Sequence, residues 1–358
     1  MANHLRLILA LAAVAGCSST TRSLDHSAVA PTGPTLTPQT SGTTNRLQAV
    51  SAVDERVVWV SGVGGTYALT TDGGTTWRAA VVPGADRLEF RDVEAVSERV
   101  AYLLAAGPGD RSRIYRTDDG GRSWSRQFTN PDTSAFYDCF AFWDERSGFT
   151  MSDAVNGRFP VVRTGDGRTW RDIGDRLPPA QPGEGAFAAS GTCTAALDER
   201  YGWIATGAAA RARVLRTTDR GDSWSEAATP IAQGGQTRGA ATIAFRDTLH
   251  GIVAGGDIAA PDAPADNVAV TRDGGRSWTL ATRTPFPGAV YSLAYVPAGD
   301  GRTVVATGPS GAAWSADEGR TWRPVEGVRD YWAVGATGPG KGTGWLVGTE
   351  GRILKLSF

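Results

Sequence analysis

Arginines and carboxylates are the residues of this chain whose types and spacing suit chemistry at a site. Arg111 and Arg113, then Arg158, then Arg211 and Arg213 fall in polar, irregular stretches that separate apolar runs. A planar guanidinium fork pairs bidentately with carboxylate or phosphate. A set of such forks held over one opening would therefore take an anionic ligand. Asp138, Asp153, Glu184 and Asp257 lie among them in the chain. These acids either pair with the arginines along a solvated rim or join them in one mixed binding site, and both readings stand at this point.

Other chemistry is excluded by what the chain lacks. Its three histidines, His4, His26 and His250, are scattered over an N-terminal apolar stretch, a polar segment and a turn. No nucleophilic triad or zinc site can be assembled from them. Gly62-Val63-Gly64-Gly65 joins two strand-like runs with no helix after it, which excludes a dinucleotide fingerprint. No cofactor and no metal is expected. The formal net charge of −1 supplies no basic excess for nucleic acid.

The elements that must hold the arginines are set by a repeat. Thr70-Thr71-Asp72-Gly73-Gly74-Thr75-Thr76-Trp77 returns as Thr117 to Trp124, a shortened Thr164 to Trp170, Thr217 to Trp224, Thr271 to Trp278 and Ser315 to Trp322. The aspartates Asp72, Asp119, Asp166, Asp219, Asp273 and Asp317 are 47, 47, 53, 54 and 44 residues apart. Hydroxyl, carboxylate and glycine are tight-turn chemistry, and the Trp opens a strand and packs between sheets. Each repeat also carries period-2 apolar runs bounded by Gly, Asp and Pro, four per repeat, as a propeller blade requires.

Six full repeats run from Leu47 to Val325, and a seventh, Tyr331 to Phe358, has three runs and no aspartate turn. Its missing strand is found at the other end. Thr35-Leu36-Thr37-Pro38 matches Thr321-Trp322-Arg323-Pro324 with Leu36 in the Trp position. The expectation is an all-β chain: a seven-bladed propeller over 35–358, with four-stranded antiparallel blades and the last blade completed by the N-terminal strand. In such a blade the turns after strands one and three leave on one face. The loops after strand two, and those between blades, leave on the other. The irregular stretches at 107–113, 130–137, 152–159, 177–186, 207–213 and 255–267 therefore share the face opposite the aspartate turns, and they carry the arginines and acids named above, with Asp138 at the entry of an innermost strand beside them.

The pattern Ser/Thr-x-Asp-x-Gly-x-Thr/Ser-Trp resembles the Asp-box, or BNR repeat, of sialidases, sortilin-like receptors and the photosystem II assembly-factor propellers. The chain also looks like bacterial relatives of the last group in its Gly344-Trp345-Leu346-Val347-Gly348 run followed by Gly351-Arg352-Ile353. The resemblance implies a non-catalytic binding or assembly factor whose partner is an envelope protein or peptide, or a small anionic ligand. A sialidase-like glycoside hydrolase is the alternative. The family's Phe-Arg-Ile-Pro motif is absent before the first box, and Tyr331 with Glu326 is a weak nucleophile pair. An oxidoreductase label, carried by some similar chains, finds no cofactor motif here. On the binding reading, reversing Arg158, Arg211 and Arg213 to Glu removes partner capture and leaves thermal stability unchanged.

The first residues read as an address. An apolar run from Leu5 to Ala15 ends in Val14-Ala15-Gly16-Cys17, which resembles a bacterial lipobox. Residues 1–17 are then a lipoprotein signal, Cys17 the lipidated residue, and 18–34 a flexible tether holding a monomeric propeller at the cell envelope. Cys139 and Cys193 each precede an aspartate (Asp144, Asp198) by five residues. Equivalent positions point the same way around a ring, so buried free thiols are expected rather than a disulfide.

Overall fold

The computed structural model describes residue 1 and residues 33–337 and 342–358. The signal segment, Cys17 and nearly all of the tether lie outside the described residues. Seven four-stranded antiparallel sheets are arranged as the blades of a propeller. The innermost strands are Leu47–Ala52, Phe90–Ala95, Tyr137–Phe142, Thr194–Leu197, Arg238–Phe245, Ser292–Val296 and Tyr331–Ala336, in blades 1 to 7. Each packs beside the next, and the strand of blade 7 beside that of blade 1.

Blade 7 explains how the ring closes. Thr35–Thr40 pairs antiparallel with Arg352–Ser357 as its outermost strand, from Thr35 opposite Ser357 to Thr40 opposite Arg352. An open sheet edge at this seam would expose unpaired backbone groups. Gln39 on this strand also ties blade 7 to blade 1: its Nε2 donates to the Gly73 carbonyl at 3.0 Å, and Trp77 Nε1 donates to its Oε1 at 3.1 Å. Any side chain at Gly74, whose φ is +88°, would run into that glutamine.

The aspartate turns form alike in all six copies. In the first, Thr70 Oγ1 donates to Asp72 Oδ1 at 2.8 Å and accepts from the Gly74 N–H at 2.9 Å. Asp72 then accepts the Thr76 N–H at 2.9 Å and the Thr76 hydroxyl at 2.7 Å. These bonds hold the Asp72 carboxyl down at about 2. Between blades, the apolar faces of neighbouring sheets make the core. Trp59, Tyr67 and Trp124, for example, pack edge to face between blades 1 and 2 with ring centres 5.1 and 6.1 Å apart.

The two cysteines correct an expectation. Cys139 and Cys193 form a disulfide, with a Cα–Cα distance of 5.9 Å. Repeat equivalence holds only where both positions fall in the same element: Cys139 lies within the innermost strand of blade 3, whereas Cys193 lies in the turn just before that of blade 4 begins at Thr194. Outside that equivalence, it joins the core between blades 3 and 4, where Cys139 already lies.

Candidate functional site

The site is made by backbone irregularity. In five blades the pairing of the innermost strand shifts register near its start, leaving Gln48, Arg91, Asp138, Ala241 and Trp332 as the extra residues. A bulge re-aims a side chain that regular pleating would send between the sheets. Here four of the five, Gln48, Arg91, Asp138 and Trp332, line one cavity of about 370 Å³. Every innermost strand starts on the face opposite the aspartate turns, so the cavity is the mouth of the central channel on that face. Arg46, Phe136, Asp153, Phe187 and Tyr291 complete its wall.

Three residues lining this mouth each hold a buried polar atom with no hydrogen-bond partner among the described residues: Arg46 Nε, Gln48 Oε1 and Asp138 Oδ2. Gln48 and Asp138 are 2% and 1% exposed. Orphaned buried polar groups are uncommon, because each carries an uncompensated desolvation cost. Around them the wall is aromatic. The Arg46 guanidinium lies 5.1 Å from the Trp332 ring centre, and Tyr291 meets Trp332 edge to face at 5.7 Å. Arg91 is held by Glu89 at 2.7 Å and by the Ala188 carbonyl at 3.3 Å, 6.0 Å from the Phe136 ring.

Asp138 and Asp153 sit within hydrogen-bonding reach of each other at the floor of the mouth. Burial, and then the neighbouring Asp153 charge, push the Asp138 carboxyl well above the ordinary range, against the pull of Arg91. Burial likewise raises Asp153 to about 6, although it accepts the Ala186 N–H at 3.1 Å. Two carboxyls in this relation share a proton near neutral pH. Deeper in the channel, burial raises Glu94 to about 7. Burial also holds the neighbouring Asp92 well above the ordinary range, while its Oδ2 accepts the Phe140 N–H at 2.8 Å.

The residues expected from sequence divide into distinct groups. Asp138 and Asp153 belong to the mouth. Arg213 and Glu184 are buried against each other in a bidentate pair, at 2.6 Å for both contacts, which Thr206 and the Pro179 carbonyl extend. Arg158 is spent on Asp172 and Asp175 at 2.7 and 2.6 Å, Arg113 on Asp110 at 2.9 Å, and Asp257 on Arg238 at 2.8 Å. Arg111 and Arg211 are exposed, and neither side chain has an ion-pair or hydrogen-bond partner among the described residues. Reversing Arg213 would leave Glu184 facing a like charge in a dry site, so the expectation that its reversal spares stability does not survive.

Gln48, Arg91, Trp332, Arg46 and Tyr291 were not found from sequence. For the first three a signal was nonetheless present: in Leu47-Gln48-Ala49, Phe90-Arg91-Asp92 and Tyr331-Trp332-Ala333, as in Tyr137-Asp138-Cys139, the residue after the opening apolar one is the one the bulge turns inward. Tyr331 and Glu326, the weak nucleophile pair, share no hydrogen bond among the described residues. A larger cleft of about 740 Å³ opens between blades 5 and 6 at Thr271, Thr279, Glu318 and Arg320. None of its lining side chains holds an orphaned buried polar atom, and its acids are engaged, Glu318 with Arg246 and Asp273 within its own turn.

No family model and no curated protein matches the chain. Solved structures do. A structure described as YCF48 bound to D1 peptide is 17% identical with a TM-score of 0.60, over 92% of this chain and 96% of that one. YCF48 from Cyanidioschyzon merolae is also 17% identical, with a TM-score of 0.57 over 90% of this chain and 98% of that one. The GH74 xyloglucanase from Xanthomonas campestris is 15% identical with a TM-score of 0.59, over 89% of this chain but 53% of the xyloglucanase chain. At these identities the likeness is one of fold, and the chain is a seven-bladed β-propeller similar in architecture to YCF48 and to GH74 propellers.

Proposed function

We propose that this chain is a non-catalytic peptide-binding propeller, taking a segment of an envelope protein at the channel mouth opposite the aspartate turns. One observation carries the reading: three residues with orphaned buried polar atoms line a single aromatic-walled cavity of a size suited to side-chain or short-peptide recognition. The peptide seen with a propeller of similar architecture supports the ligand class. Arg111 and Arg211, exposed on the same face, are free to meet acidic residues flanking the docked segment. We read the aspartate turns as Asp-boxes and the chain as a bacterial relative of the photosystem II assembly-factor propellers, anchored at the envelope through a lipid on Cys17.

The test is selection of a randomised twelve-residue peptide library on the wild-type protein, followed by titration of the best binder. Trp332→Ala should weaken that binder at least tenfold with little change in melting temperature, since Trp332 is only half-buried at a mouth. Failure of any peptide to enrich, or equal affinity in the Trp332 variant, overturns the assignment.

Glycoside hydrolysis is the second reading, favoured by architectural likeness to GH74 enzymes. The mouth acids argue against it. Carboxyls within hydrogen-bonding reach stand closer than the roughly 5 Å of a retaining pair or the 6.5–9.5 Å of an inverting one. The chain also spans 43% and 53% of the two GH74 chains.

A further inference from the structure

We propose that the Asp138–Asp153 pair at the floor of the channel mouth is a cation anchor, receiving a lysine ammonium or arginine guanidinium from the bound peptide. The inference rests on the peptide-binding reading and adds what the mouth selects. Two of the three orphaned buried atoms, Asp138 Oδ2 and Gln48 Oε1, are acceptors, and both belong to bulge residues turned into the cavity. A ligand that satisfies Gln48 Oε1, and the Asp138 carboxyl once its proton has left, must donate. The walls include Phe136, Phe187, Tyr291 and Trp332, aromatic side chains of the kind that attract a cation and pack against its methylene stem.

The charges facing the pair agree with a cationic rather than an anionic guest. Arg91 on blade 2 is neutralised by Glu89 at 2.7 Å. Glu184, from the segment packed on Ala154, is tied to Arg213. Arg46 of blade 1 stands at the rim over Trp332, and its orphaned Nε–H suits a backbone carbonyl of the same peptide. What is left unmatched at the floor is the carboxyl pair, which holds a proton in place of a partner. An incoming ammonium makes that proton unnecessary, so binding expels it.

This gives the proposal a pH signature. Because a proton must leave the pair, affinity rises with pH through the range in which Asp153, raised to about 6 by burial, titrates. The raised carboxyl is protonated at the lower pH, so the cation there must compete.

The experiment uses the peptides selected on the wild-type protein from the randomised library. The expected result is a lysine or arginine enriched at one position. Replacing it with norleucine should cost at least tenfold in affinity, and calorimetry in two buffers of different ionisation enthalpy at pH 6 should show net proton release. Against Asp153→Asn, a near-isosteric change, the lysine peptide should lose most of its advantage over the norleucine peptide and the pH dependence centred near 6 should be lost. The norleucine comparison needs no protein variant, so misfolding cannot mimic it. If peptides enrich and Trp332→Ala abolishes their binding, yet no position prefers a cation and no proton is released, the anchor is wrong and the peptide-binding reading stands. If no peptide enriches, both fall together.

Discussion

Reducing the bond between Cys139 and Cys193 is the sharpest perturbation of the fold. The bond closes a loop with a sequence separation of 54 residues. In the chain-entropy treatment a loop of that length withholds about 14 cal/mol/K from the unfolded ensemble, or about 4 kcal/mol at room temperature. Both half-cystines are fully buried and both lie in the core between blades 3 and 4, so the native state without the bond keeps nearly the same contacts. The loss therefore falls almost wholly on the unfolded side. With a urea slope of roughly 3 kcal/mol/M, the midpoint of unfolding should drop by roughly 1.3 M on reduction.

The assay is urea unfolding followed by tryptophan fluorescence, with and without reductant, paired with mass spectrometry of peptides alkylated before and after reduction. An unchanged midpoint after quantitative reduction refutes the entropic account. Recovery of both cysteines alkylated without reduction refutes the bond itself, and restores the free thiols that repeat equivalence predicts.

Three further outcomes follow from buried and hydrogen-bonded charges. Arg213→Met removes the cation from a pair whose side chains are 4% and 0% exposed and should cost about 3 kcal/mol, read from urea midpoints, because Glu184 stays buried as a charge. Asp72, Asp119 and Asp273 are held at about 2 by their turn hydrogen bonds. The unfolded chain binds the extra protons, so their contribution is complete above about pH 4 and is lost as pH falls towards 2; a melting temperature that is flat from pH 5 to pH 2 contradicts this. Glu94 runs the other way, since burial raises it to about 7: the native state keeps a proton that the unfolded chain releases, so its effect favours folding at low pH and is lost as pH rises through 7. Glu94→Gln should accordingly raise the melting temperature at pH 8 and leave it unchanged at pH 4.

Blade number, strand order and the face on which the irregular loops gather follow from local information. Thr, Asp and Gly at fixed offsets make the same hydrogen-bonded turn wherever they occur, and alternation of apolar residues makes the strands between them. Even the seam was legible, because the strand at Thr35–Thr40 carries the pattern of a blade's outermost strand and blade 7 lacks one. The binding site was legible only in part. Asp153, in an irregular stretch, and Asp138, at the entry of an innermost strand, were visible as acids, yet Arg113, Arg158 and Arg213 looked equally suitable and are consumed by Asp110, Asp172 with Asp175, and Glu184.

Which charge is spent and which is left over depends on neighbours brought together from different blades. A single sequence does not encode that pairing locally. The same holds for the bulges that turn Gln48, Arg91, Asp138 and Trp332 into one mouth, and for Cys193, which lies one residue outside the innermost strand of blade 4. Local hydrogen bonding fixed the ring; the convergence of side chains from blades 1, 2, 3 and 7 on a shared axis, set by the tertiary fold alone, decided where it can recognise a partner.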